Sequence, residues 1–258
     1  VTTSANSADS TAVPYVDYGY GSHVGLRREL NEDSFVVTDR LYAVADGMGG
    51  HEAGEVASSL AVQALAEGWE AHAGKIAEQD LQKFLNEADS RIREATDSKA
   101  GTTLTGAAVV EAQDQHTGED HNGQWQWLVF NIGDSRTYLL NDGALIRLTR
   151  DHSQVQELAD SGMITAEEMH SHPQRNVITR ALGAGDLLGA DFTKATVATG
   201  QRLLVCSDGL TGELTDEQIA QILNAGRNAQ ETVDWLIHQA LRHGGRDNVT
   251  VVLVDVTQ

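Results

Sequence analysis

The chain has little of what staples or interrupts a polypeptide. Its single cysteine, Cys206, excludes an internal disulfide and gives no support for a secreted disulfide scaffold. Prolines number only 2, while 40% of residues are hydrophobic and 22% charged, a composition of globular rather than disordered chains. Positive charge is scarce: 18 basic against 38 acidic side chains leave a net charge of −20. Such a surface repels nucleic acid and anionic membranes, so neither is expected as a partner, whereas divalent cations are attracted. No apolar run approaches the roughly 18–20 residues of a membrane span, and the first residues lack a signal-peptide pattern. Cytoplasm is the expected compartment. If this is a domain of a longer protein, a membrane anchor beyond Gln258 is the alternative.

The 258 residues suffice for one large domain or two small ones. Residues 1–13 are Ser/Thr/Ala-rich, without periodicity, and are expected to form a flexible arm; 14–258 is expected to be one catalytic domain. Short apolar runs predict strands at Tyr15–Gly21, Ser34–Val37, Leu41–Ala45, Thr102–Val110, Trp125–Ile132, Arg136–Leu140, Leu145–Thr149, Arg202–Cys206 and Val249–Val256. Helical spacing predicts Ala53–Ala73, Ile76–Ser98, Asp216–Asn224 and Ala229–Arg242. A polar loop is expected at 114–123. The His-rich stretch 154–183 reads as a weakly helical insertion or flap. Strands in runs and helices in consecutive pairs favour an α+β layered domain with mostly antiparallel sheets.

One pattern recurs: an apolar strand meets an Asp followed by Gly or Asn. It occurs at Asp46-Gly47 and Asp208-Gly209, ahead of a strand at Asp247-Asn248, and similarly in Gly133-Asp134-Ser135. Each alone is ordinarily a turn. Four of them beside apolar strands suggest carboxylates that converge, which repel one another unless a cation sits between them. All-oxygen ligands select hard ions such as Mg²⁺ or Mn²⁺.

Rival phosphate chemistries fail on particular residues. The Gly-rich turn after Leu41–Ala45 is followed by no Gly-Lys-Ser/Thr, and Glu52 stands where a dinucleotide fingerprint needs its third glycine. A thiolate phosphatase built on Cys206 would need an arginine where Gly212 stands. No His-Glu-x-x-His occurs.

Eight ordered blocks resemble the protein phosphatase 2C family. They are Gly25-Leu26-Arg27-Arg28 through Asn31-Glu32-Asp33-Ser34, Ala45-Asp46-Gly47-Met48-Gly49-Gly50-His51, Gly101-Thr102-Thr103, Gly133-Asp134-Ser135-Arg136, Leu148 to Ser153, Asn176 to Gly183, Ser207-Asp208-Gly209-Leu210, and Arg246-Asp247-Asn248-Val249-Thr250. They span about Tyr18 to Val256, and the Asp-Gly-Met-Gly-Gly-His form resembles the bacterial branch. The resemblance implies a four-layer α-β-β-α sandwich of two antiparallel sheets flanked by helix pairs. It also implies hydrolysis of phosphoserine and phosphothreonine in proteins, by in-line attack of a hydroxide bridging two Mn²⁺ or Mg²⁺ ions about 3.5–4 Å apart.

Carried over by residue, Asp46 bridges the metals, the Gly47 carbonyl is a ligand, and Asp208 and Asp247 complete the pair. Glu32 acts through metal-associated water; Asp33 does the same or caps the following structure. Asp134, with Asp208, holds a possible third ion, or else caps a turn. Arg28 grips the substrate phosphate with a planar donor fork, or else pairs with a neighbouring Glu.

The chain departs from animal members at Met48, where they carry a His proposed to protonate the leaving group. His51 is the candidate substitute and water the alternative; the ordinary role is a loop histidine. His152, His170 and His172 are expected to be solvated loop residues rather than a zinc site, and Trp125 and Trp127 to face the core. Expected partners are phosphoproteins and, by resemblance, a bacterial Ser/Thr kinase that this monomeric enzyme antagonises. The alternative function is a catalytically silent, phosphoprotein-binding regulatory module; it would be expected to have lost Arg28 or a metal aspartate, and none is lost.

Overall fold

The computed structural model describes residues 13–49, 53–73, 75–113, 120–169, 171–184 and 189–257, and not the side chains of 113, 120–123 and 166. The expected arm at 1–13 therefore lies almost wholly outside the described residues.

Among the described residues, eleven strands and seven helices follow in chain order: β1 Tyr15–His23, β2 Asp33–Val37, β3 Leu41–Gly49, α1 Ala53–Ala71, α2 Glu78–Thr96, β4 Ala100–Thr102, β5 Leu104–Gln113, β6 Asp120–Ile132, β7 Arg136–Asn141, β8 Ala144–Arg147, α3 Gln154–Asp160, α4 Ala166–Met169, β9 Asp191–Thr196, β10 Arg202–Cys206, α5 Asp208–Thr211, α6 Asp216–Leu223, α7 Ala229–His243 and β11 Val249–Thr257. One sheet has the order β1-β11-β10-β7-β8, the other β2-β3-β5-β6-β9 with β4 paired to β3. Every pairing is antiparallel.

The side-chain alternation of a strand explains the four layers. On β3, Leu41, Ala43 and Ala45 pack under α1 and α2 with Leu65, Leu85 and Ile92. Tyr42 and Val44, between them, enter the inter-sheet core with Trp127, Val205 and Val254. On β11, Val249, Val251 and Leu253 pack under α5–α7, and Val252, Val254 and Val256 face the opposite sheet. A strand covered on both faces reads as a continuous apolar run, as β3, β10 and β11 do. Trp125 and Trp127 lie in the inter-sheet core, as expected.

The α-β-β-α architecture is that expected; several boundaries are not. β3 does not break at Asp46 but runs on to Gly49, because β4 pairs with Gly47–Gly49. The run expected as one strand over Thr102–Val110 divides at Thr103, whose backbone turns to hydrogen-bond Asp46. β6 begins at Asp120, so the end of the expected loop is strand; 114–119 lie outside the described residues. Within 154–183 two short helices form, α3 capped by the Ser153 side chain, which accepts from Gln156 N–H. β9 was not anticipated. It is a six-residue edge strand with no buried residue, so it lacks the apolar signature of its neighbours.

Candidate active site

Both sheets present the same end to one cleft. The start of β2 and the end of β3 are paired, Asp33 opposite Asp46. In the other sheet the end of β10 meets β7 and β11, Cys206 opposite Arg136 and Val251, so Asp208 follows β10 and Asp247 precedes β11. The β6–β7 turn adds Asp134 from the same side. Arg28, Glu32, Asp46, Gly47, Asp134, Asp208 and Asp247 thus line a single cleft of about 220 Å³, with Asn176 and Ile178 on its wall. Asp33 sits beneath it, buried. His51 lies outside the described residues.

Hydrogen bonds fix the backbone around Asp46. Its N–H donates to Thr103 Oγ1 at 3.1 Å, and its carbonyl accepts from Thr103 N–H and the Thr102 hydroxyl, both at 2.9 Å. Gly47 N–H donates to the Glu32 carbonyl at 3.1 Å. A Cβ on Gly47 would stand 2.1 Å from the Gly54 carbonyl oxygen, so only glycine lets α1 and the Glu32 segment approach this closely. On the other sheet, Asn248 stitches the 24–32 segment to β11. Its Nδ2 donates to the carbonyls of Val24 and Leu30 at 3.0 and 2.9 Å, and its Oδ1 accepts from Glu32 N–H at 2.8 Å. These supporting roles of Thr102, Thr103 and Asn248 were not assigned from sequence. The available signal was buried polar residues at the ends of otherwise apolar strands.

The carboxylates are costly in this setting. Burial first, then the charges of Asp33, Asp208 and Asp134, push Asp46 well above the usual carboxylate range. Asp134 is raised by burial and by Asp208 and Asp151, and Asp208 by burial and Asp247. Asp33 is pushed up to about 7, chiefly by burial, against hydrogen bonds with Thr250 and Ser207. Its Oδ2 accepts from the Ser207 hydroxyl at 2.8 Å, while its Oδ1 is buried without a partner. The nearby cations are engaged at the margins: Arg28 Nη2 donates to Asp247 Oδ2 at 2.8 Å, and Arg136 Nη2 to Asp151 Oδ2 at 2.7 Å. Mutually raised carboxylates, an orphaned buried oxygen and an all-oxygen donor set fit hard divalent cations.

One expectation is corrected. His152 is not a solvated loop histidine but is 1% exposed, because its hydrogen-bond partners come from distant segments and enclose it. Arg28 pairs with Asp247, not with a neighbouring Glu, although its side chain stays about half exposed. His172 is partly exposed and accepts from Gln174 N–H through Nδ1; His170 lies outside the described residues.

Comparison with known proteins agrees with this geometry. A family model described as Protein phosphatase 2C matches residues 25–243. The Serine/threonine protein phosphatase PstP of Mycobacterium tuberculosis is 43% identical over 244 residues, covering 93% of this chain and 45% of that protein, so this chain spans under half its length. The Serine/threonine phosphatase stp of Listeria monocytogenes is 36% identical over 250 residues, covering 91% of this chain and 94% of that protein. Among solved structures, the catalytic domain of PstP in complex with two manganese ions superposes with a TM-score of 0.81 at 38% identity, covering 94% of this chain and 99% of that one. With the motif blocks gathered on one cleft and these relatives matched nearly end to end over the domain, the chain belongs to the protein phosphatase 2C family.

Proposed function

We propose that this chain is a metal-dependent phosphoprotein phosphatase acting on phosphoserine and phosphothreonine. The carrying observation is the convergence of Asp46, Asp208 and Asp247 from two sheets on one cleft with Arg28 at its rim. The relatives' names and the manganese-bound PstP structure support it. Asp46, Asp208, Asp247 and the Gly47 carbonyl would hold two divalent cations, with Glu32 and Asp33 behind them and Asp134 beside Asp208 as the place for a third. When bound, such cations supply positive charge to an anionic site and water activation at neutral pH.

The chain's own residues do the rest. Arg28 offers guanidinium N–H groups to two phosphate oxygens, and the phosphate competes with Asp247 for that fork. Asn248 holds the segment that carries Arg28 and Glu32, keeping the fork at the cleft mouth. Thr103 holds Asp46 by its N–H, so the carboxylate meets the ions without rearranging. A broader cleft of about 940 Å³ shares Asp134, Asn176 and Asp208 and runs between α3–α4 and α5–α6. It gives a protein substrate room on either side of the phosphorylated residue. Opposition to a bacterial Ser/Thr kinase is part of this proposal, as are action as a monomer and a cytoplasmic site of action. Among the described residues no helix is long and apolar enough to cross a membrane.

The test is phosphate release from a phosphothreonine peptide with Mn²⁺ and then with excess EDTA. Release that needs the metal and stops on chelation supports the proposal. A folded protein inert under every metal would favour a silent binding module instead.

A further inference from the structure

Of the histidines with described side chains, His152 alone is fully enclosed, and the proposed chemistry leaves it unused. Its Nδ1 accepts the N–H of Gly133 at 3.1 Å. An accepting ring nitrogen carries no proton, so the neutral ring holds its proton on Nε2. That Nε2 faces Asp191 Oδ2 at 3.2 Å, close but too poorly aligned for a good hydrogen bond. Asp191 opens β9, pairs with Arg180 at 2.9 Å and lies opposite Asn131 on β6. The His152 main chain works in parallel: its N–H donates to the Gly133 carbonyl at 2.9 Å, and its carbonyl accepts from Thr179 N–H at 2.8 Å.

Gly133 is therefore held by His152 at both its N–H and its carbonyl. Its φ of +100° excludes other residues, and a Cβ there would stand 2.6 Å from Thr103 Cβ. Thr103 in turn holds Asp46 and shares a 2.7 Å hydrogen bond with Ser135. The turn that delivers Asp134 is thus clamped between Thr103 and His152. The same His152 reaches the 176–180 segment, whose Asn176 and Ile178 line the cleft.

We infer that His152 is a positioning residue: its unprotonated Nδ1 and its main chain fix the Gly133–Asp134 turn and tie it to the cleft wall at 176–180. As a claim about catalysis this rests on Asp134 being a cation ligand; as a claim about the turn it stands alone. Protein groups of this kind, one step behind a metal ligand, change metal affinity by about 10–100-fold when removed.

The experiment has three readouts. In ¹⁵N-histidine-labelled protein near neutral pH, long-range ¹H–¹⁵N correlation is expected to show His152 in the Nε2–H tautomer; an Nδ1–H tautomer overturns the inference. His152→Leu removes the acceptor and should move the Gly133 amide resonance, whereas His152→Asn, which keeps an acceptor near the Nδ1 position, should leave it close to wild type. In calorimetric Mn²⁺ titrations, His152→Leu should weaken by about tenfold or more the binding step that Asp134→Asn abolishes, with His152→Asn restoring most of it. Equal impairment of both His152 variants, or a folded His152→Leu with wild-type amide resonance, overturns the inference. Should His152→Leu not fold, the wild-type tautomer and the His152→Asn spectrum decide. If Asp134→Asn leaves the titration unchanged, the assignment of Asp134 fails, and the tautomer and amide resonance still judge the clamp.

Discussion

At the scale of single residues, the site is a set of charges held together against their own repulsion. Asp208 illustrates the consequence. On the proposed function, replacing it by Asn removes a charge that would hold the cations, so turnover at saturating Mn²⁺ should fall by on the order of 10²-fold or more. The same change relieves repulsion with Asp46 and Asp247, so the EDTA-treated variant should melt about 2–4 °C higher, the equivalent of about 1 kcal/mol in a domain this size. Loss of activity together with loss of apo stability would instead mark a structural role. Arg28→Ala should raise KM for a phosphopeptide by about tenfold or more while Mn²⁺ affinity, read by calorimetry, stays near wild type. His152 gives the pH dependence. Burial, opposed by Asp191, holds its folded pKa below the ordinary 6.5. At this imidazole the unfolded state binds more protons as pH falls below about 6.5, so its contribution to stability declines there, by up to about 1.4 kcal/mol per pH unit. The raised carboxylates act in the opposite sense but equally in both proteins, so the check is the difference: denaturation midpoints of wild type should lose ground relative to His152→Asn as pH falls through that range.

At the scale of elements, strand ends aim the chemistry, and polar residues just beyond those ends, Thr103 and Asn248, hold them in place. Asn248→Ala removes three hydrogen bonds at a buried position. It should destabilise the protein by about 1–3 kcal/mol and raise KM with a smaller effect on kcat, because it loosens the segment bearing Arg28. Chemical denaturation and steady-state kinetics check both. Much of this level was legible in advance. The apolar runs ending in Asp46 and Cys206, and the run opening at Val249, announced themselves by composition, and the α1–α2 pair by spacing. What was illegible depended on partners distant in sequence. Nothing local shows that Thr103 must leave its strand for Asp46, 57 residues earlier. Nor does anything local bury His152 against Gly133, 19 residues away. β9 is a strand because β6 offers it an edge, not because of its own sequence. The residues of the motif blocks line one cleft, since an Asp-Gly at a strand end keeps its signature wherever the strand is placed; how those ends meet is a property of the sandwich.

For the whole molecule, the net charge of −20 sets the terms of encounter. On the proposed function, an acidic phosphopeptide would be repelled at long range and captured only where bound cations offset the charge of the cleft. Phosphothreonine peptides flanked by Lys or Arg should therefore show higher kcat/KM than those flanked by Asp or Glu, with the gap narrowing as ionic strength rises from about 0.01 to 0.15 M and the Debye length shrinks from about 30 to 8 Å. A preference indifferent to salt would place the selectivity in short-range contacts along the 940 Å³ cleft instead.

The sandwich also interlaces its ends. β1, from the beginning of the chain, completes the sheet built by β7, β8, β10 and β11, while β9, from the later half, closes the sheet of β2, β3, β5 and β6. Asp33 and Asp46 thus come from one half of the polypeptide and Asp134, Asp208 and Asp247 from the other, and each half lends the other an outer strand. Severed near the β6–β7 turn, neither fragment would own a whole sheet or a whole active centre. The two could regain activity only by exchanging strands as they rejoined, which makes this scaffold a natural reporter for the meeting of two fused partners.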